Sequence, residues 1–205
     1  MNPPPGIRDA LRRFRRRRIR RWKAERAVMA VTVVTARGGP AVLLTRRADA
    51  LSARAGQLTL PGQWVGRWES ASAAARQQLA DHLGIHLAPE SVLGLLDDYP
   101  DDYPGASSRV ITPVVLWAGD DADTGGVIAV RFAELDLEPM FVSTADADRP
   151  VIRLPLHGEW LHAPAAALLH QFREVVLHRR HTRVAHLGPP SGRDSVVGCG
   201  WRPGT

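Results

Sequence analysis

Residues 56–85, GQLTLPGQWVGRWESASAAARQQLADHLGI, leave this chain few ways to fold. The segment 57–60 reads as a short strand, and Pro61-Gly62 stops it, because proline offers no N–H to a ladder and glycine turns freely. Residues 72–83 are rich in Ala and Leu and form a helix. Ser70 or Ser72 is placed to cap its start, and Gly84 to end it in a left-handed conformation. A strand, a tight loop and a helix in immediate succession require a sheet on which the helix can lie.

The flanks supply that sheet. VMAVTVVTA at 28–36 and AVLLTRR at 41–47 are β-like and split by the turn signal Arg37-Gly38-Gly39-Pro40, which predicts a hairpin or two successive strands. Further strands are expected at 92–96, 110–117 and 127–132, with an apolar helix around 164–177. Strands interrupted by helices in one domain give an α/β fold, a mixed β-sheet flanked by helices, over residues 27–186. The chain has 205 residues, 44% of them hydrophobic, enough for a substantial core. The Gly- and Pro-rich tail 187–205 is expected to be irregular.

Charge is distributed unevenly. Residues 1–26 carry eleven Lys and Arg against Asp9 and Glu25, a local +9, so the remaining residues carry −3 of the overall +6. The alkaline balance belongs to this basic N-terminal extension. A helix here would align Leu11, Phe14, Arg18 and Trp22 along one narrow stripe. Two readings stay open: a solvated helix leaning on the domain, with arginine stems covering apolar surface, or a site for nucleic acid or an anionic membrane surface. A single cysteine, Cys199, excludes an internal disulfide framework and a cysteine-built zinc site, and suits a reducing cytoplasm. No run of 18 apolar residues predicts a transmembrane segment. A homodimer is left open.

The chemistry sits on the helix at 72–83. Positions i, i+3 and i+4 share a face, so Gln78, Asp81 and His82 project together while Leu79 and Leu83 turn to the core. Glu69 can fold toward the same face from the preceding loop. Carboxylates converging there would hold Mg²⁺, which demands hard oxygen ligands, yet only Glu69 and Asp81 are carboxylates.

With Gly84-Ile85 as its closing pair, the segment resembles the Nudix box, G-x5-E-x7-R-E-U-x-E-E-x-G-U with U aliphatic. Glu69 and Leu79 match. Gln63 stands for the leading Gly, Gln77 for the Arg, and Gln78, Asp81 and His82 for the remaining glutamates, so the box is degenerate. LLTRRADALSARAGQLTLPG at 43–62 is similar to the signature of the coenzyme A pyrophosphatase branch, with Arg54 where that branch has His. The resemblance implies a Nudix-like α/β/α sandwich and hydrolysis of a diphosphate linkage in coenzyme A or a nucleoside diphosphate derivative, with Mg²⁺ or Mn²⁺ as cofactor.

Carried onto this chain, the resemblance implies Glu69, Asp81 and Gln78 as catalytic positions and Glu69, Asp81 and His82 as metal ligands. It implies Arg46, Arg54, Gln57 and Gly62 as substrate contacts. Exchanging Glu for Gln at 78 removes a full negative charge, and His82 prefers softer metals, so Mg²⁺ affinity is expected to fall steeply. Two outcomes stay open: a weakened metal-dependent hydrolase, and an inactive Nudix-fold module that binds a nucleotide or a protein. Gln63 occupies a place where glycine often adopts an angle that a side chain resists, which predicts a reshaped loop. Trp64 and Trp68 stack on a base or pack over the helix, and Asp97, Asp98, Asp101 and Asp102 read as a solvated turn.

Overall fold

The computed structural model describes residues 2–47, 56–102, 108–120, 126–143 and 149–188. The chain begins with α1 (Ile7–Arg13) and enters a long strand, β1 (Glu25–Ala36), which forms a hairpin with β2 (Gly39–Arg46). Then follow β3 (Leu58–Thr59), β4 (Gly62–Trp64), α2 (Ala71–Leu83), β5 (Val92–Leu95), β6 (Tyr99–Pro100) and β7 (Arg109–Asp120). The last elements are β8 (Val127–Arg131), α3 (Phe132–Leu135), β9 (Met140–Val142), β10 (Val151–Leu156), β11 (Glu159–His162) and α4 (Ala165–Phe172), which widens into a π turn at Arg173–Leu177.

The main sheet runs β3-β2-β1-β7-β5, with β4 also on β1, β6 on β7 and β8 on β2. β1 and β7 pair in parallel, and the other pairs in this sheet are antiparallel, so the sheet is mixed as expected. Alternation along the central strands explains the layering. Met29, Val31 and Val33 of β1 face one hydrophobic cluster, while Val28, Ala30 and Val34 face the other. β7 divides in the same way: Ile111, Val115 and Trp117 point to the first cluster, and Val114 and Leu116 to the second. α1 and α4 cover the first face and α2 covers the second through Ala74, Ala75 and Leu79. A strand buried on both faces cannot leave either to water, and the outcome is the α/β/α sandwich.

The second sheet, β11-β10-β9, was not expected from the sequence. β10 reads VIRLPL, in which Pro155 and the absence of strict alternation obscure the strand.

The basic N-terminus departs from its expected form. The helix stops at Arg13, and Phe14 is already extended at φ −72, ψ 117. Leu11 and Phe14 are buried, but Trp22 is 89% exposed and does not lean on the domain. The cause is the aspartate cluster, which is no solvated turn: Asp97, Asp98 and Asp101 are all buried. Asp97 accepts the Arg17 backbone N–H at 2.6 Å, and Asp98 accepts that of Ile19 at 3.0 Å. Asp98 also takes the Arg16 guanidinium at 2.5 Å, and Asp102 takes Arg21 at 2.6 Å. These acceptors outcompete helical hydrogen bonds, and residues 14–22 lie across the domain as a strap that is neither helix nor strand.

Candidate functional site

α2 begins and ends where the sequence places it. The Ser70 hydroxyl accepts the Ala73 N–H at 3.1 Å, and Gly84 adopts φ 66 with its N–H on the Ala80 carbonyl. The face that looks back at the sheet edge presents Gln78 and His82, which line a cleft of about 930 Å³. Its other walls are the start of β1, the end of β2, and the turn from β3 into β4.

Gly62 has a steric reason in that turn: a Cβ there would lie 2.7 Å from the Val28 carbonyl oxygen. Gln63 does not need the left-handed backbone that glycine allows. It pairs with Val28 in the β4 ladder, has no positive φ, and its amide donates to the Ala74 carbonyl at 2.8 Å, tying β4 to α2.

The residues expected to hold a metal are not gathered. Glu69 accepts the Gly66 N–H at 3.0 Å and lines recesses elsewhere on α2, away from Gln78 and His82. Asp81 is exposed and accepts the Gln77 amide at 2.7 Å. Gln78 is 6% exposed, and its carbonyl oxygen has no hydrogen-bond partner. Among the described residues no three His, Cys, Asp or Glu side chains converge. Mg²⁺ needs several oxygen ligands around one point, and this donor set does not fit it.

Arg46 does line the cleft, where it donates to the Gly56 carbonyl at 2.7 Å and to both oxygens of Glu159, at 3.1 and 2.6 Å. This strut joins β2 to β11. The Arg46 hydrogen bond holds the Glu159 carboxyl below the usual carboxylate range. Gln57 contributes its backbone carbonyl to Arg47 at 3.0 Å and is not part of the cleft wall. Arg54 lies outside the described residues.

Arg109 belongs to the site although the sequence did not single it out, and with it comes Asp101 of the acidic cluster. The parallel register sets Ala27 opposite Ile111, and Ala27 also pairs with Trp64, so the head of β7 and β4 meet across β1. Arg109 thereby lies over the Trp64 ring, 4.6 Å from its centroid, and bonds Asp101 at 3.1 Å. Trp64 remains 54% exposed, whereas Trp68 is 91% exposed and outside this cleft. The cleft therefore carries Arg46, Arg47 and Arg109 against one carboxylate among its described lining, Asp101. Two of these cations are already ion-paired, Arg46 with Glu159 and Arg109 with Asp101.

No protein-family model and no curated protein sequence matches the chain. Solved structures do. The structure of NrtR from Shewanella oneidensis superposes with a TM-score of 0.52 at 17% identity, covering 76% of this chain and 64% of that one. RenU, a Nudix hydrolase from M. smegmatis, gives 0.48 at 22% identity over 78% and 91% of the two chains. A MutT/nudix family protein from Enterococcus faecalis gives 0.48 at 18% identity over 78% and 63%. The chain thus spans less than two thirds of the NrtR and Enterococcus proteins it resembles. At these identities the likeness speaks to the fold, and the α/β/α sandwich built on the β1–β7 pair is the Nudix fold.

Proposed function

We propose that this chain is a Nudix-fold module that binds a diphosphate-bearing ligand, a nucleoside diphosphate derivative or coenzyme A, in the arginine-lined cleft without metal-assisted turnover. One observation carries the reading: where a metal hydrolase needs converging carboxylates, the described cleft wall offers Arg46, Arg47, Arg109 and a neutral Gln78, with a single carboxylate, Asp101, that is held by Arg109. A diphosphate must have its charge balanced, by a cation held on acids or by guanidiniums directly, and guanidinium recognition of phosphate is bidentate and geometrically strong.

The remaining groups suit the same ligand. The partly exposed Trp64, with Arg109 beside it, offers a surface on which a base can stack. The unpartnered Gln78 carbonyl accepts a donor from a ligand hydroxyl or amine. A reducing cytoplasm, where such cofactors are abundant, suits a chain with one cysteine.

Calorimetric titration with ADP and with coenzyme A, in EDTA and in Mn²⁺, tests the proposal. Binding that survives EDTA, weakens in Arg109→Ala and yields no hydrolysis product supports it. Binding that requires the metal, or steady product release in Mn²⁺, returns the chain to the weakened-hydrolase reading.

A further inference from the structure

A second recess, of about 590 Å³, opens between the strap and the start of α2. It is lined by Arg16, Arg18, Arg20, Arg21 and Arg26, with Trp22 at its rim. Its two carboxylates are already engaged: Asp98 by Arg16, Thr112 and the Ile19 N–H, and Glu69 by the Gly66 N–H. The first turn of α2, which brings Ala71 and Ser72 to the same recess, contains no acidic residue.

The arginine run divides into two groups. Arg16 and Arg21 form ion pairs with Asp98 and Asp102 and anchor the strap, and Arg26 at the start of β1 faces Asp98 at 3.8 Å. Arg18 and Arg20 are exposed and, among the described residues, form no ion pair. Their backbone is nevertheless fixed by the hydrogen bonds from Arg17 and Ile19 to the buried aspartates. Unpaired cations on a pinned backbone repel one another unless an anion joins them. Beside them Trp22 is 89% exposed, and Trp68, next to Glu69 in the chain, is 91% exposed. Each has a cation over its ring, Lys23 at 4.7 Å and Arg67 at 5.4 Å.

We propose that this recess binds single-stranded nucleic acid, with the phosphodiester backbone on Arg18 and Arg20 and unstacked bases on Trp22. A positively charged groove beside exposed aromatic rings is what a single strand requires, because each base has a face to stack and each phosphate a charge to neutralise. A duplex keeps its bases paired and leaves the indoles unused. A membrane surface is flat and meets the rim rather than the recess. The proposal does not rest on the diphosphate cleft, which meets α2 near its other end, at Gln78, His82 and Leu83.

Fluorescence anisotropy of a labelled oligothymidylate with the full chain, titrated at several salt concentrations, is the test. Binding should weaken steeply with salt. Arg18→Ala with Arg20→Ala should flatten the log–log salt slope by roughly 1.4, and Trp22→Ala should lower affinity about tenfold with little change in slope. Circular dichroism establishes that the variants fold, since neither arginine nor Trp22 is buried. ADP binding in the Arg109 cleft should be unaffected by all three changes. Absence of binding at low salt, duplex bound as tightly, equal binding by the arginine variant, or a preference for phosphatidylserine vesicles would each overturn the assignment.

Discussion

Asp98 accepts the backbone N–H of Ile19 at 3.0 Å across 79 positions of sequence, and this bond makes the basic N-terminus part of the domain. The same carboxylate accepts the Thr112 hydroxyl at 2.8 Å and pairs with Arg16. It therefore joins the strap to β7 in the middle of the sheet. Asp97 does the equivalent on the other side, where Arg183 donates to both of its oxygens at 2.8 and 2.9 Å and also to the Arg15 carbonyl.

Removing Asp98 should release the strap. In Asp98→Ala the Arg16 side chain, 16% exposed, and the Ile19 N–H lose their acceptor together. Breaking a buried pair by deleting one partner costs about 3 kcal/mol or more. The urea midpoint should fall accordingly, and trypsin should cleave the arginine run faster than in the unaltered chain. An unchanged midpoint would show that the strap contributes nothing to the fold.

Gly62→Ala should destabilise through a backbone clash. The added Cβ meets the Val28 carbonyl oxygen at 2.7 Å and the Met29 side chain at 3.1 Å. The carbonyl cannot move without parting β4 from β1, so a loss of about 1–3 kcal/mol is expected. Thermal denaturation measures it, and ADP affinity should fall as well, because Trp64 is carried on the same short strand.

How much was legible in the sequence follows from range. β1, β2 and α2 announce themselves because their signals are local: an apolar run, a Gly-Gly-Pro turn, a serine cap and a glycine stop, all within a few residues of the element they define. Helical spacing set Gln78, Asp81 and His82 on one face, but it could not show that Asp81 accepts from Gln77 and Glu69 from Gly66. The strap was misread because its conformation is decided by Asp97 and Asp98, about eighty residues away. Arg109 could have been found only by pairing β1 with β7 in parallel, a long-range register that no local pattern states.

Acid should weaken the fold partly through His170. Burial lowers the pKa of this imidazole below its ordinary 6.5, Arg173 and His186 push the same way, and Glu174 opposes them. The folded state thus favours neutral imidazole, and the unfolded chain binds the proton more readily. The stability it contributes is complete above about pH 6.5 and is lost as the pH falls below that value toward the folded pKa. In His170→Gln the decline in unfolding free energy between about pH 7 and pH 5 should be shallower. The carboxyls of Glu134, Asp136 and Glu159, held low by their arginine and histidine partners, act in a more acidic window and should not mask the difference.

Restoring acids to α2 should create a metal requirement that the unaltered chain lacks. Gln78 is 6% exposed with a carbonyl that has no partner, so Gln78→Glu buries a charge in the cleft wall and should cost about 1–3 kcal/mol without metal. Adding His82→Glu sets a second carboxylate one helical turn away on the same face. A divalent cation that binds the folded form then stabilises it by mass action. The melting temperature of the double variant should therefore rise with Mn²⁺, while that of the unaltered chain stays constant. Equal shifts in both proteins would mean that the existing side chains already hold the metal, and the arginine-based account of the cleft would have to be abandoned.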